Sequence, residues 1–383
     1  MQGVEQAHCN AAIKAILAAA GALWSSTVEE ALRHILGYGK SDTLGMDAMS
    51  EITIVGELLR YDKYSIVITE ETGGRQAVRL EPNDWRRSKS VFISDPTDRS
   101  SQVKKMLEGE SDKSRSVIDV FSDSTCRTRW EEEFGGPVEI TGGTSSITCI
   151  RRGVPIFAVI VNYITRDLFL SCRAGNFVLA LPNNTSIVDL DYVRAHGRKL
   201  FFRGVDPGHE RRFVTFMGKS GYRENFRDSR FMTEDEMGQH LYYNLPGGPS
   251  RVLYLSMLQP QTTPIGFVLA NGEKISEWVH WLPFIRFARE ETDQEGPALS
   301  LFEVCQDRPW TKDGVLMATP PAYSLFTPVK EGDHRMVVNV GRFADFPNPC
   351  RFRSTLVVAP ANNRWATRAV NQYGYRPIEF FEE

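Results

Sequence analysis

The chain has no excess of basic charge: 48 Asp and Glu outnumber 45 Lys and Arg, giving a formal charge of −3 and a pI near 6.2. With no basic field, nothing draws a nucleic-acid polymer onto the surface. Long uncharged apolar runs are also missing. Even the Ala-rich start, Ala11 to Trp24, is interrupted by Lys14, so no membrane span is expected. Lacking a basic leader, that stretch reads as a helix of the folded protein and not a secretion signal. The six cysteines, at 9, 126, 149, 172, 305 and 350, have neither the close paired spacing of a zinc site nor the density of a disulfide scaffold. They read as reduced thiols of a cytoplasmic protein. Internal repeats and low-complexity tracts are absent.

What remains is a globular composition in 383 residues, enough for one large domain or two ordinary ones. Ala12, Ile13, Ile16 and Leu17, then Val28, Ala31, Leu32 and Ile35, recur at helical spacing, and Ser25-Ser26-Thr27 breaks and caps between them, so two packed helices are expected over residues 5–36. Tyr64–Ile68 and Val91–Ile93 read as strands. The charged stretch Lys104–Glu133 reads as an inserted loop or helix with loop. Thr144–Ile150, Pro155–Tyr163 and Asp167–Cys172, separated by short turns, predict an antiparallel meander. Further on, Lys199–Arg203, Arg212–Met217, Val252–Leu255, Gly266–Ala270 and Val315–Ala318 read as strands, and Met232–Leu241 as a helix. Residues around 278–288 form a second helix, with Pro283 in its first turn or at a kink. The last 57 residues hold two strand candidates, Met336–Val340 and Thr355–Ala359.

The chemistry gathers at three acidic stretches. Val91-Phe92-Ile93 stops at Asp95-Pro96, and Asp98 follows two residues later, then Ser100 and Ser101. Pro96 fixes its own φ and pushes Asp95 towards an extended conformation, so Asp95 and Asp98 can converge across a tight bend. Two carboxylates that close repel unless a cation lies between them, and hard divalent ions favour such oxygen ligands. The strand before it ends in Thr69-Glu70-Glu71. Two strand tips carrying acids point to one shared sheet edge. Asp47 stands at the start of an apolar-periodic helix. Each stretch also has a plain alternative: a capped turn for Asp95–Asp98, a solvated strand end for Glu70-Glu71 and a helix cap for Asp47. His280, between Trp278 and Trp281, is by itself more readily a satisfied core histidine than a ligand.

Taken together, Asp47, Ile68-Thr69-Glu70-Glu71 and Ile93-Ser94-Asp95-Pro96-Thr97-Asp98-Arg99-Ser100 resemble the inositol monophosphatase / fructose-1,6-bisphosphatase superfamily of Mg²⁺-dependent, lithium-sensitive phosphatases. The order and spacing are those of its aspartate, Glu-Glu and Asp-Pro-x-Asp-x-Ser/Thr motifs. The meander at 145–177, Pro249-Ser250, Glu277-Trp278 and Gly314–Ala318 stand where the family has corresponding elements, so the resemblance spans residues 8–326. It implies an α/β (α+β) fold, a five-layered αβαβα sandwich with the metal site between its halves: 1–184 with the metal motifs and 185–326 completing the site. Residues 327–383 lie outside the resemblance, an extension of unknown role whose strands could extend a sheet across a homodimer. Implied ligands for Mg²⁺, or alternatively Mn²⁺, are Glu70, Asp95, Asp98 and the Thr97 carbonyl. Asp47, Glu70 and Ser100 are the implied catalytic set, and Arg99, Ser100, Ser250 and Arg251 the implied phosphate or substrate contacts.

Two departures stand out. Arg99 occupies a position that is normally Gly, and Trp278-Val279-His280-Trp281-Leu282 replaces Trp-Asp-x-Ala-Ala, with Val279 where the metal-ligating aspartate belongs. Glu277 or His280 would have to substitute, although imidazole suits Mg²⁺ poorly. The expected function is therefore a metal-dependent phosphomonoesterase acting on a small phosphorylated polyol, sugar or nucleotide. The alternative is a catalytically impaired relative that works as a ligand-binding or scaffold protein.

Overall fold

The computed structural model describes residues 3–39, 41–72, 90–182, 188–200, 213–217, 243–244, 267–291, 299–304, 310–312, 315–317, 325–333, 335–340, 353–360 and 376–380. Among them, α1 (Gly3–Ser25) and α2 (Val28–Leu32) are separated at the Ser25–Thr27 break. Thr27 closes a capping box: its Oγ1 accepts from Glu30 N at 3.1 Å and its own N–H donates to Glu30 Oε2 at 2.9 Å. A third helix, α3 (Gly45–Tyr61), packs along α1.

Strand β1 (Ile66–Thr69) pairs in parallel with β2 (Ser90–Asp98). The charged stretch that follows folds as four short helices, α4 (Ser100–Glu108), α5 (Val117–Phe121), α6 (Cys126–Phe134) and α7 (Val138–Thr141). Its few apolar residues explain this. Val103, Leu107, Val117, Val120 and Trp130 are buried in the same core as α1, so a sparse apolar face is anchored by tertiary packing. The meander then appears as β3 (Thr144–Arg151), β4 (Val154–Asn162), β5 (Asp167–Cys172) and β6 (Gly175–Ala180). Arg152 and Gly153, at φ 52° and 84°, form the two-residue turn between β3 and β4. Helix α8 (Leu190–His196) and β7 (Arg198–Lys199) complete a seven-stranded sheet in the order β1-β2-β3-β4-β5-β6-β7.

The second half supplies β8 (Phe213–Met217), β9 (Tyr243–Asn244), β10 (Phe267–Lys274), α9 (Ile275–Trp278), α10 (Trp281–Glu291) and β11 (Leu299–Val304). Pro283 is the third residue of α10, where its missing N–H costs no helical bond. Next come the pair β12 (Trp310–Lys312) and β13 (Val315–Met317), the pair β14 (Phe326–Pro328) and β15 (Met336–Val338), then β16 (Arg353–Pro360) and β17 (Arg376–Ile378). The second sheet runs β17-β11-β16-β10-β8-β9. The expected helix Met232–Leu241 and strand Val252–Leu255 lie outside the described residues, as do residues 201–203 of the expected strand after β7.

Period-two alternation places the layers. Phe157, Val159 and Val161 of β4 join the core under α1, while Ala158 and Ile160 turn to the other face and pack with Phe169, Leu200 and Phe284 of α10. Helix α10 is pinned there by Asn176 Nδ2 donating to Phe284 O at 3.0 Å and Arg286 Nη1 to Pro155 O at 2.8 Å, and it also packs on β11. The described residues thus form helix, sheet, helix and sheet layers of a mixed α/β fold; the fifth layer expected from the sequence is not among them. By length and composition α1 would pass for a membrane span. Its apolar face, with Ala12, Ile13, Ile16 and Leu23 fully buried, is packed on α3, β3 and β4.

The tail behaves differently from an appended extension. Strand β16 lies inside the second sheet, antiparallel to both β10 and β11. Residues 336–338 reach back to the first sheet, where Val338 N donates to Gly153 O at 2.6 Å. A Cβ on Gly153 would stand 2.7 Å from the Val337 Cβ, so that turn needs glycine for contact as well as for φ.

Candidate active site

The parallel register aligns Thr69 with Ser94, so Glu70 and Asp95 leave neighbouring strands at the same sheet end. Both are buried, at 7% and 3% exposure, a position that carboxylates hold only with compensating partners. Beyond Asp95 the ladder slips: Asp95 pairs with Ser146 but Asp98 with Thr144, three steps against two. The extra residue is a bulge centred on Pro96, which has no N–H to give the ladder. Tyr163 holds it from behind, its fully buried hydroxyl donating to Pro96 O at 2.7 Å. Burial pushes the Tyr163 phenol up to about 12 against the hydroxyls of Ser50, Ser145 and Thr97, with the Asp47 charge adding to the rise. These neighbours bring the start of α3, the β2 bulge and β3 to one place. The sequence reading had passed over Tyr163.

Asp47 is the third residue of α3, and its Oδ2 accepts from Leu44 N at 3.2 Å. The cap role is therefore real, and the buried side chain still sits beside the Tyr163 cluster. One helical turn on, Glu51 is fully buried and accepts from the hydroxyls of Thr69 and Thr72 and from Thr72 N. Burial lifts its carboxyl to about 7; the bonds from Thr72 oppose that, and the charge of Glu71 adds to it. Glu71 accepts from Thr43 Oγ1 at 2.7 Å. The two adjacent glutamates thus part: Glu71 ties the β1 tip to the loop before α3, and Glu70 turns towards the second half. The four-residue spacing of Asp47 and Glu51 was the available signal for Glu51.

Arg99 caps α4 in the left-handed region, at φ 64° and ψ 31°. Ser100 follows as the first helical residue, where backbone N–H groups lack intrahelical acceptors and favour anions. The Arg99 guanidinium is buried over the Trp130 ring, 5.9 Å from its centroid. Burial draws it down to about 10, and the Asp98 charge opposes this.

From the second half, Ser276 Oγ donates to Glu70 Oε2 at 3.3 Å, and α9 packs on β2. Trp278, Val279 and His280 are all buried, and His280 meets Trp281 edge-on at 6.2 Å. Glu277 lies in α9, but its side chain is outside what is described, as are Ser250 and Arg251. Among the described residues, no three His, Cys, Asp or Glu side chains stand close enough to hold a metal ion. The donor chemistry at the strand tips, carboxylates and a main-chain carbonyl, fits a hard cation. An ion entering there would have to draw Glu70, Asp95 and Asp98 together.

No protein-family model matches the chain, and no curated protein does. Among solved structures it is similar to an inositol monophosphatase from Anabaena (12% identity, 95% of each chain, TM-score 0.47). It is also similar to CysQ from Bacteroides thetaiotaomicron, a bacterial member of the inositol monophosphatase family (14% identity, 76% of this chain and 91% of that one, TM-score 0.45). A third is the extragenic suppressor protein suhB from Bartonella henselae (16% identity, 74% and 85%, TM-score 0.42).

Proposed function

We propose that the chain is a divergent phosphomonoesterase of the inositol monophosphatase type, cytoplasmic, acting on a small phosphorylated polyol, sugar or nucleotide. One observation carries the reading: Glu70 and Asp95 are buried side by side at the ends of paired parallel strands, directly before the Pro96 bulge, Asp98 and the start of α4. In this reading residues 1–184 bring the acids and 185–326 close the site over them. Glu70, Asp95, Asp98 and the Thr97 carbonyl would hold Mg²⁺, which when bound lowers the pKa of water and neutralises phosphate oxygens. The backbone N–H groups of Arg99 and Ser100 receive the phosphate at the helix start. Asp47 and the Ser100 hydroxyl orient the attacking water and help deprotonate it, the proton ending on the Asp47 carboxylate. Because water attacks directly, no nucleophilic Cys or Ser is required.

A second reading, a ligand-binding or scaffold protein on the same fold, is favoured by Val279. It is buried where a fourth acid is expected from the sequence pattern, so the second half brings no described carboxylate to the site. A phosphate-release screen over phosphorylated metabolites separates the two. The enzyme releases phosphate with Mg²⁺, is inhibited by Li⁺ and loses turnover in Asp95→Asn. The scaffold shows no turnover with any divalent ion and no Mg²⁺-dependent change in melting temperature.

A further inference from the structure

Among the described residues the Asp98 charge acts on Arg99, but no acceptor meets Nε or Nη1 of its guanidinium. The residue is 8% exposed, and its Nε and Nη1 are buried with no hydrogen-bond partner among the described residues. Trp130 covers one face of the guanidinium. The Nε and Nη1 edge of a guanidinium is the fork that grips a carboxylate or a phosphate through two parallel bonds, and here it is enclosed by the protein. Left empty, that fork forfeits its hydration for nothing. The backbone supports the same conclusion: a non-glycine residue is held at φ 64°, a conformation that costs free energy and persists where the surroundings impose it.

We propose that the Arg99 guanidinium seats a second anionic group of the ligand, next to the one received by the start of α4. This deepens the phosphatase reading and rests on it for the first group. The substrate class becomes a phosphate ester carrying a further phosphate or carboxylate a short spacer away, not a neutral polyol monophosphate. Trp130 is the positioning residue: its ring lies against the guanidinium, 5.9 Å from centroid to Cζ, and its Nε1 is itself locked by donating to Thr141 Oγ1 at 2.7 Å.

The test is titration calorimetry on the full chain in a chelating buffer, with propyl phosphate and propane-1,3-diyl bisphosphate as probes. The bisphosphate should bind about ten-fold tighter or more, the worth of one charge-assisted pair of bonds. Arg99→Gln should abolish that preference. Arg99→Lys, which keeps the charge but loses the fork, should retain part of it. Circular dichroism of each variant confirms that it is folded. Equal affinity for both probes, an undiminished preference in Arg99→Gln, or no binding of either probe to the native chain overturns the proposal. A parallel phosphate-release assay with Mg²⁺ keeps the two readings apart. Release without the preference overturns only the second seat, whereas the preference without release leaves the seat standing and overturns the phosphatase.

Discussion

Ser276 Oγ donates to Glu70 Oε2 at 3.3 Å across 206 positions of sequence, and so ties the tip of β1 to α9 of the second half. Both groups are buried, which makes the bond worth more than its length suggests, because its loss takes a donor from a carboxylate that water does not reach. Ser276→Ala should lower unfolding free energy by about 1 kcal/mol. Urea denaturation with and without Mg²⁺ checks this. An unchanged midpoint in both would mean that Glu70 takes its position without Ser276.

The Tyr163 hydroxyl plays the matching part for the β2 bulge. Tyr163→Phe removes the donor to Pro96 O and leaves a carbonyl next to Asp95 without it, at a cost of about 1–2 kcal/mol. Guanidinium denaturation measures the cost. A loss below about 0.5 kcal/mol, the level of an ordinary surface change, would show that the bulge holds itself.

What could be read from the sequence is what short-range pattern encodes. The tips of β1 and β2 were legible because apolar runs end in acid and, at Pro96, in a residue that stops the ladder. Thr27 announced its cap, and the turns of the meander announced β3 to β5. Strand β16 was visible as a strand but not as an interior one, since its partners β10 and β11 are chosen by long-range pairing. Helices α5 to α7 were hidden by their charge, with few apolar residues per turn to mark them. In the site, the acids were legible and their supports were not. Glu51 looked like one more polar residue on a helix, and Tyr163 like a strand-end aromatic. Only the folded chain sets one against Thr72 and the other against Pro96.

Glu51 makes stability fall with rising pH. Its folded pKa is lifted from the ordinary 4.5 to about 7. Across that window the native state keeps a proton that the unfolded chain has released, so the native advantage is full below about 4.5 and is lost as pH passes about 7. The upper bound is about 3 kcal/mol. Glu51→Gln keeps a carbonyl oxygen for Thr72 N–H and has no charge to bury, so its stability should stay flat over the same range. Denaturation midpoints from pH 4 to 8 in a chelating buffer compare the two chains, and parallel slopes would remove Glu51 as the cause.

Arg99 should be the point where stability and binding oppose each other. Arg99→Gly relieves the left-handed backbone, worth about 1 kcal/mol, and removes a buried cation whose Nε and Nη1 meet no acceptor among the described residues and whose desolvation costs several kcal/mol. Against this stand the contact with Trp130, about 1 kcal/mol, and the added freedom of glycine in the unfolded chain, about 0.4–1 kcal/mol. The desolvation is the largest of the four, so the variant should be more stable than the native chain by about 1 kcal/mol or more. In the phosphate-ester titration it should bind like Arg99→Gln. A variant that is instead less stable would identify Arg99 as part of the packing around Trp130, held there for the fold and not for an anion.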